Sequence, residues 1–163
     1  MSRIWKFIKN QFTYAKYVFY HKWRVMVWGW YLTYDISFMW QCFCHDMSKF
    51  LPGEWFPYAK FFGDGQLQED KKAFLQAWSM HLARNPHHWQ YFTRASDVGM
   101  VALEMPAHYV YEMVADWQAA GEAQGNKTNI YDWYDQNKCM MTLHENTKSL
   151  VGILICRIMC LCG

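Results

Sequence analysis

Residues 4–30 read IWKFIKNQFTYAKYVFYHKWRVMVWGW, and this stretch decides the fold class. Its apolar and aromatic residues recur three and four positions apart, which is the period of an α-helix with one buried face. The residues that set this period are Ile4, Phe7, Ile8, Phe12, Ala15, Val18 and Phe19. The spacing therefore predicts a long first helix, which also carries His21.

The helical period continues beyond this stretch, and no segment alternates between apolar and polar residues as a strand would. Further helices are predicted over 34–44, 54–62, 67–83, 101–120, 130–138 and 144–159, and the fourth of these is either one helix from Val101 or a short helix followed by a longer one that starts at Pro106. Pro52 is typical of a first helical residue, and Asn85-Pro86 should stop a helix because the residue before proline avoids the α region. Turns are predicted at 63–65, and a polar linker is predicted over 121–129.

Composition places these helices in one globular domain. The chain has 163 residues, of which 53% are apolar and 20% aromatic, so it can bury a core. We predict an all-α, single-domain helical bundle over 1–163, with 150–163 as an apolar helix packed on its body. A formal net charge of only +2 argues against dedicated nucleic-acid binding, and homo-oligomers remain open.

The predicted localisation depends on whether the sequence contains a signal peptide or a transmembrane segment. Arg3, Lys6 and Lys9 interrupt any signal-like apolar run, and 150–162, the most apolar segment, is too short for a transmembrane span and carries Arg157. We expect a cytoplasmic protein with reduced thiols. The six cysteines are Cys42, Cys44, Cys139, Cys156, Cys160 and Cys162.

Histidines and carboxylates form three groups with metal-ligand character. The first is His45-Asp46, followed by Lys49, whose ammonium could meet an anionic substrate. Adjacent side chains reach one ion only at a helix end or a bend, and an imidazole with a carboxylate suits Zn, Fe, Mn, Co or Ni. A histidine that merely caps a helix is the alternative.

The second group is His81 with His87 and His88. On one continuous helix, His81 and His88 would lie about 10 Å apart, too far to share an ion. The break at Asn85-Pro86 allows a turn, so that His87 or His88 can face His81. The alternative is a surface histidine cluster.

The third group is a stripe of polar residues spaced by four in a segment otherwise rich in apolar residues. Residues four apart lie on one face of a helix, and two carboxylates beside a core either pair with a cation or share a proton. The stripe consists of Glu104, His108, Glu112 and Asp116. An exposed acidic face is the alternative.

His45-Asp46-x-x-Lys49 resembles the His-Asp-x-Gly-Lys motif of the HD-domain superfamily of metal-dependent phosphohydrolases, with Ser48 in place of the glycine. These proteins are all-helical and bind a divalent ion through a lone His, a His-Asp pair and a distant Asp. By this resemblance the metal ligands are His21, His45, Asp46 and Asp116. In the two-metal branch, His81 and either His87 or His88 would bind a second ion.

A closer likeness, which covers almost the whole chain, is to small uncharacterised proteins of phages and bacteria. It is carried by strings such as His45-Asp46-x-Ser48-Lys49-Phe50, Asn85-Pro86-His87-His88-Trp89 and Glu112-Met113-Val114-x-Asp116-Trp117. This likeness implies a bacterial or phage-encoded chain. The Gly-Tyr-Pro signature of cyclic-dinucleotide phosphodiesterases is absent.

The resemblance implies hydrolysis of a nucleotide or a related small phosphate ester by metal-activated water, with one or two divalent ions. The catalytic residues would be Lys49, Glu112 and Asp46, with Arg84 or Arg94 as further cations and Trp55, Tyr58 or Trp89 as pocket walls. Two alternatives stay open. One is a diiron oxygenase on the same ligands, and the other is a non-enzymatic interaction protein with a structural metal.

Overall fold

The structure, a computed structural model, describes residues 3–162, and over these residues the predicted all-α class is confirmed. The helices are α1 (Arg3–Thr33), α2 (Ile36–Cys44), α3 (Pro52–Gly63), α4 (Lys71–Arg84), α5 (Ala107–Ala123), α6 (Ile130–Asn137) and α7 (Glu145–Cys162). Within the described range, no helix is both long enough and apolar enough to cross a bilayer.

Local chemistry sets the helix ends. The Asp35 carboxylate accepts a hydrogen bond from the backbone N–H of Ser37 at 2.8 Å, and so caps α2. Pro52 opens α3 as predicted, and α4 ends at Arg84, with Asn85 as its C-cap directly before Pro86. The α5 helix runs to Ala123 and takes up the start of the predicted 121–129 linker.

A two-stranded antiparallel hairpin corrects the prediction that 101–120 is helical. Strands β1 (Thr93–Ser96) and β2 (Gly99–Ala102) pair, and Ser96 lies opposite Gly99. Gly99 has a φ of +115°, which glycine adopts far more easily than other residues, so the tight turn forms there. The following helix starts only after Pro106, and Glu104 therefore lies outside it.

Contacts divide the described chain into two compact units. The first contains 3–20 and 46–85, and its buried core comprises Tyr14, Val18, Tyr58, Ala59 and Ala77. Contacts between aromatic rings stabilise this core, since the Tyr14 ring centroid lies 4.9 Å from that of Trp55 and 5.9 Å from that of Tyr58.

The second unit contains 21–45 and 86–162 and has the larger buried core. The α7 helix packs on α5 and α6 and buries one apolar face. That face consists of Val151, Leu154, Ile155 and Ile158. The expectation that 1–163 is a single domain stays a prediction.

Candidate metal centre

The chain bends sharply at the His45-Asp46 pair, as the sequence predicts. The α2 helix ends at Cys44, His45 leaves the helical region with φ −50° and ψ 133°, and Asp46 adopts a left-handed conformation with φ 57°. Aspartate tolerates this region better than most residues. Because the backbone is not helical at this bend, the directions of the two adjacent side chains differ from those of neighbours on a continuous helix.

Three donor atoms of the second unit form a compact triangle. His21 Nε2 lies 3.0 Å from Asp116 Oδ1, His45 Nε2 lies 3.3 Å from the same oxygen, and the two Nε2 atoms are 3.3 Å apart. All three side chains are buried. The structure thus brings together a residue of α1, the end of α2 and a residue of α5.

The spacing of this triangle fits a transition-metal ion. Ions of this kind bind imidazole nitrogen and carboxylate oxygen at about 2.0–2.2 Å, so ligand atoms at tetrahedral or octahedral angles lie about 3.0–3.5 Å apart. The three observed separations fall in that range. Two imidazoles and one carboxylate also match the donors that Zn, Fe, Mn, Co and Ni accept. The residues present therefore fit a divalent ion.

Glu112 links two histidines of the second unit. Its Oε1 lies 2.9 Å from His45 Nδ1 and 3.2 Å from His87 Nδ1, while Gln41 Nε2 donates to its Oε2 at 2.6 Å. Burial alone would raise the pKa of Glu112, but the bonds from the two imidazoles outweigh it and lower the pKa to about 2. The carboxylate is thus ionised and can hold both rings in fixed orientations.

His45 faces a carboxylate at each ring nitrogen, Glu112 at Nδ1 and Asp116 at Nε2. A neutral imidazole has only one N–H, so a proton or a metal ion must occupy the second nitrogen. Although burial opposes it, the pKa of Asp116 is held well below its usual range by bonds from His21 and His45. Two buried carboxylates carry two negative charges, which a divalent cation would balance.

The adjacent histidines His87 and His88 are both buried in the second unit. His87 contacts Glu112, and its ring centroid lies 4.2 Å from that of His45. His88 is also buried, with its ring centroid 4.2 Å from that of His87. The donor atoms of His45, His87 and Glu112 lie within 4.8 Å of one another. They form a second group of possible ligands in the same unit.

The first unit holds its own buried polar cluster around His81. His81 Nε2 lies 3.1 Å from Asp46 Oδ1, and the Lys49 ammonium lies 2.5 Å from Asp46 Oδ2. Lys49 is mostly buried, with its ammonium 6.0 Å from the centroid of the Tyr58 ring. The predicted substrate cation is therefore paired with the carboxylate three residues before it.

Glu54 is the centre of this cluster, and sequence reasoning missed it. Its Oε2 lies 2.9 Å from His81 Nδ1 and accepts a hydrogen bond from Ser48 Oγ at 2.8 Å. Its Oε1 accepts one from Arg84 Nη1 at 2.7 Å, and Asn85 Nδ2 donates to Ser48 Oγ at 2.8 Å. The only sequence signal was a glutamate in a helix of aromatic residues.

Three other predicted residues, Glu104, His108 and Arg94, have no place in these buried clusters. Glu104 and His108 are exposed, so only the second half of the predicted stripe is buried. The guanidinium of Arg94 donates to the backbone carbonyls of Tyr91 and Thr93. The three aromatics predicted as pocket walls pack on the two cores, Trp55 and Tyr58 in the first unit and Trp89 in the second, and their role at a pocket stays a prediction.

Comparison with known proteins places the chain in a family. A family of unknown function, DUF5662, matches residues 10–156. The chain belongs to this family. No curated protein and no solved structure matches the chain. The match to DUF5662 includes every histidine and carboxylate of the two buried clusters, so these residues lie inside the family's own region.

Proposed function

We propose that this protein is a metal-dependent phosphohydrolase that acts on a nucleotide or a related small phosphate ester. The observation that supports this most is the buried donor triangle of His21, His45 and Asp116. The resemblance of His45-Asp46-x-x-Lys49 to the HD-domain motif supplies the reaction class.

The ion would be Mn, Fe, Co, Ni or Zn, held by the triangle. Asp46 as a further ligand, and His81 with His87 or His88 as ligands of a second ion, stay predictions from the sequence. A bound divalent ion lowers the pKa of coordinated water and neutralises phosphoryl oxygens. The chain's own residues have to position that ion and exclude bulk water, and the burial of all three donors serves both purposes.

Glu112 has a defined part in this proposal. When neutral His45 carries its proton on Nδ1, it donates to Glu112 Oε1, and its Nε2, which lies 3.3 Å from Asp116 Oδ1, is then free to bind a metal ion. The same oxygen orients His87. Because the pKa of Glu112, at about 2, is set by its two histidine partners in spite of burial, it is better suited to orient rings than to accept a proton near neutral pH.

Lys49 supplies a positive charge in the first unit. Its ammonium is paired with Asp46 at 2.5 Å, and a substrate phosphate would have to compete with that carboxylate. The pairing shields the buried charge when substrate is absent. Lys49→Met should therefore weaken substrate binding, which raises KM, and should leave metal content unchanged.

Elemental analysis of purified protein beside a phosphate-release assay on nucleotides and cyclic dinucleotides tests the proposal. We expect about one or two transition-metal ions per chain and release of phosphate, both lost in His21→Ala and Asp116→Asn. His108→Ala, an exposed histidine on the same helix as Asp116, is the matched control and should keep both properties.

Two results would contradict the proposed phosphohydrolase activity, and each would indicate a different function. Bound iron with oxygen consumption and no phosphate release would indicate a diiron oxygenase. Metal that is bound and lost as expected, but with no turnover of any substrate, would indicate an interaction protein with a structural ion.

A further inference from the structure

We propose that the exposed face of α1 within residues 4–19 binds the surface of an anionic lipid bilayer. This face is independent of the buried clusters and of the function proposed above. It is apolar, basic and turned to solvent, and these three properties together point to a partner that offers acyl chains and anionic headgroups side by side.

The apolar side chains of this face are unusually exposed. Ile4 is 72% exposed, Phe12 67% and Phe19 62%, and Trp5 and Ile8 are exposed as well. Trp5, Phe12 and Phe19 are seven residues apart, so they return to nearly the same side of the helix after two turns. They form a continuous stripe about 20–25 Å long on one helix.

This stripe is not the core face of the helix. The buried residues of the same stretch are Asn10, Tyr14 and Val18, and the last two pack with Tyr58 in the core of the first unit. The segment therefore has two apolar faces, one covered by its own unit and one exposed. Contiguous exposed apolar surface of this size marks an interaction site.

The charges on the helix select an anionic partner. Residues 3–33 contain six Lys or Arg residues and no Asp or Glu, whereas the rest of the chain is net acidic. Lys9 and Lys16 are exposed and follow Trp5 and Phe12 by four residues, so they flank the stripe along one edge. Lysines in this position can extend to headgroups while aromatic rings enter the interface.

The same charges disfavour a symmetric pairing of two copies through this face. An isologous contact with the two helices antiparallel would place the Lys9 and Lys16 side chains of one copy close to those of the other. Like charges brought together in this way repel each other and cost binding free energy. A bilayer with anionic headgroups has no such penalty.

Co-sedimentation of the full chain with vesicles tests the proposal. We expect partition into phosphatidylcholine–phosphatidylglycerol vesicles at least about tenfold above partition into pure phosphatidylcholine, and weakened by high salt. Lys9→Gln/Lys16→Gln should lose about thirtyfold and Phe12→Gln at least about tenfold.

Two controls are matched to these variants. Trp40→Gln removes an aromatic that is 68% exposed in α2, a helix without charged residues, and should bind vesicles like wild type. Lys71→Gln/Lys72→Gln removes the same charge from exposed positions of α4 and should lose much less than the Lys9/Lys16 pair. Unchanged thermal unfolding of each variant would show that it still folds.

Three outcomes would overturn the proposal. Equal binding to neutral and anionic vesicles would remove the role of the lysines. Self-association that Phe12→Gln abolishes, without vesicle binding, would make a second copy the partner. Retention of labelled RNA on a filter, lost in Lys9→Gln/Lys16→Gln and again without vesicle binding, would make nucleic acid the partner.

Discussion

His81 Nδ1 lies 2.9 Å from Glu54 Oε2, and both side chains are fully buried. Glu54 also accepts hydrogen bonds from Ser48 and Arg84, so one carboxylate ties together α3, α4 and the turn that follows Asp46. A buried carboxylate with three partners stabilises the fold only while each partner is present.

Glu54→Gln should therefore destabilise the protein. The amide keeps the shape of the side chain but loses the negative charge that Arg84 faces, and it places an N–H₂ group near donors. We expect a loss of about 2–3 kcal/mol in the free energy of unfolding, measured by urea denaturation. Glu69→Gln, at an exposed position of the same unit, should change it by less than about 0.5 kcal/mol. Equal effects of the two variants would contradict the central position of Glu54.

Metal should stabilise the folded state through the second unit. If His21, His45 and Asp116 bind an ion, adding Mn, Co or Zn to chelated protein should raise the melting temperature. At 100 times the Kd the gain is about 2.7 kcal/mol. Asp116→Asn should abolish this shift, and His108→Ala should keep it. A melting temperature that does not respond to metal in the wild type would count against the triangle as an ion site.

Glu122 should make the free energy of unfolding depend on pH in the acid range. Its carboxylate accepts hydrogen bonds from Trp28 Nε1 at 2.9 Å and from Gln118 Nε2 at 3.0 Å, and it pairs with Arg24. Burial opposes the shift, but these bonds lower the pKa of Glu122 below its ordinary value of 4.5. As pH falls, this carboxylate is therefore protonated at a higher pH in the unfolded chain than in the folded one. The stabilisation that Glu122 provides is complete above about pH 5 and is lost as pH falls toward the lower pKa of the folded state.

The variant Glu122→Gln removes that contribution. Because the group is partly exposed, we expect only about 1 kcal/mol of destabilisation at pH 7. The difference from wild type should shrink as pH falls from 5 to 3 in urea titrations. A difference that stays constant over this range would show that the charge of Glu122 is not responsible.

A substitution at Gly29 tests how closely α1 packs against α2 in the second unit. A Cβ atom added at this position would lie 2.4 Å from Cys42 Sγ, and Cys42 is fully buried. Gly29→Ala should therefore cost about 1–3 kcal/mol through overpacking, in spite of its better helix propensity. Gly121→Ala in α5, where no atom lies within 4 Å, should instead stabilise by about 0.5–1 kcal/mol. Differential scanning calorimetry of the two variants should show shifts of opposite sign.

The sequence by itself determined the helices and most of their ends. The three- and four-residue spacing from Ile4 onward, Pro52 and the Asn85-Pro86 break concern residues within about one turn of each other, and such local preferences act wherever the segment lies. The same local reasoning failed at the β1–β2 hairpin. There a single glycine with positive φ and a later proline outweighed the apolar residues around Val101.

Only the tertiary structure decided which polar side chains meet. Order along the chain and a family resemblance nominated His21, His45 and Asp116, but their 3.0–3.3 Å separations depend on how α1, α2 and α5 pack. Glu54 lies 27 positions from His81, and Glu112 lies 67 from His45. Periodicity indicates that a helix has an apolar face, whereas packing between distant segments decides whether that face is buried and what covers it. In α1 the periodic residues Ile4, Phe12 and Phe19 are exposed.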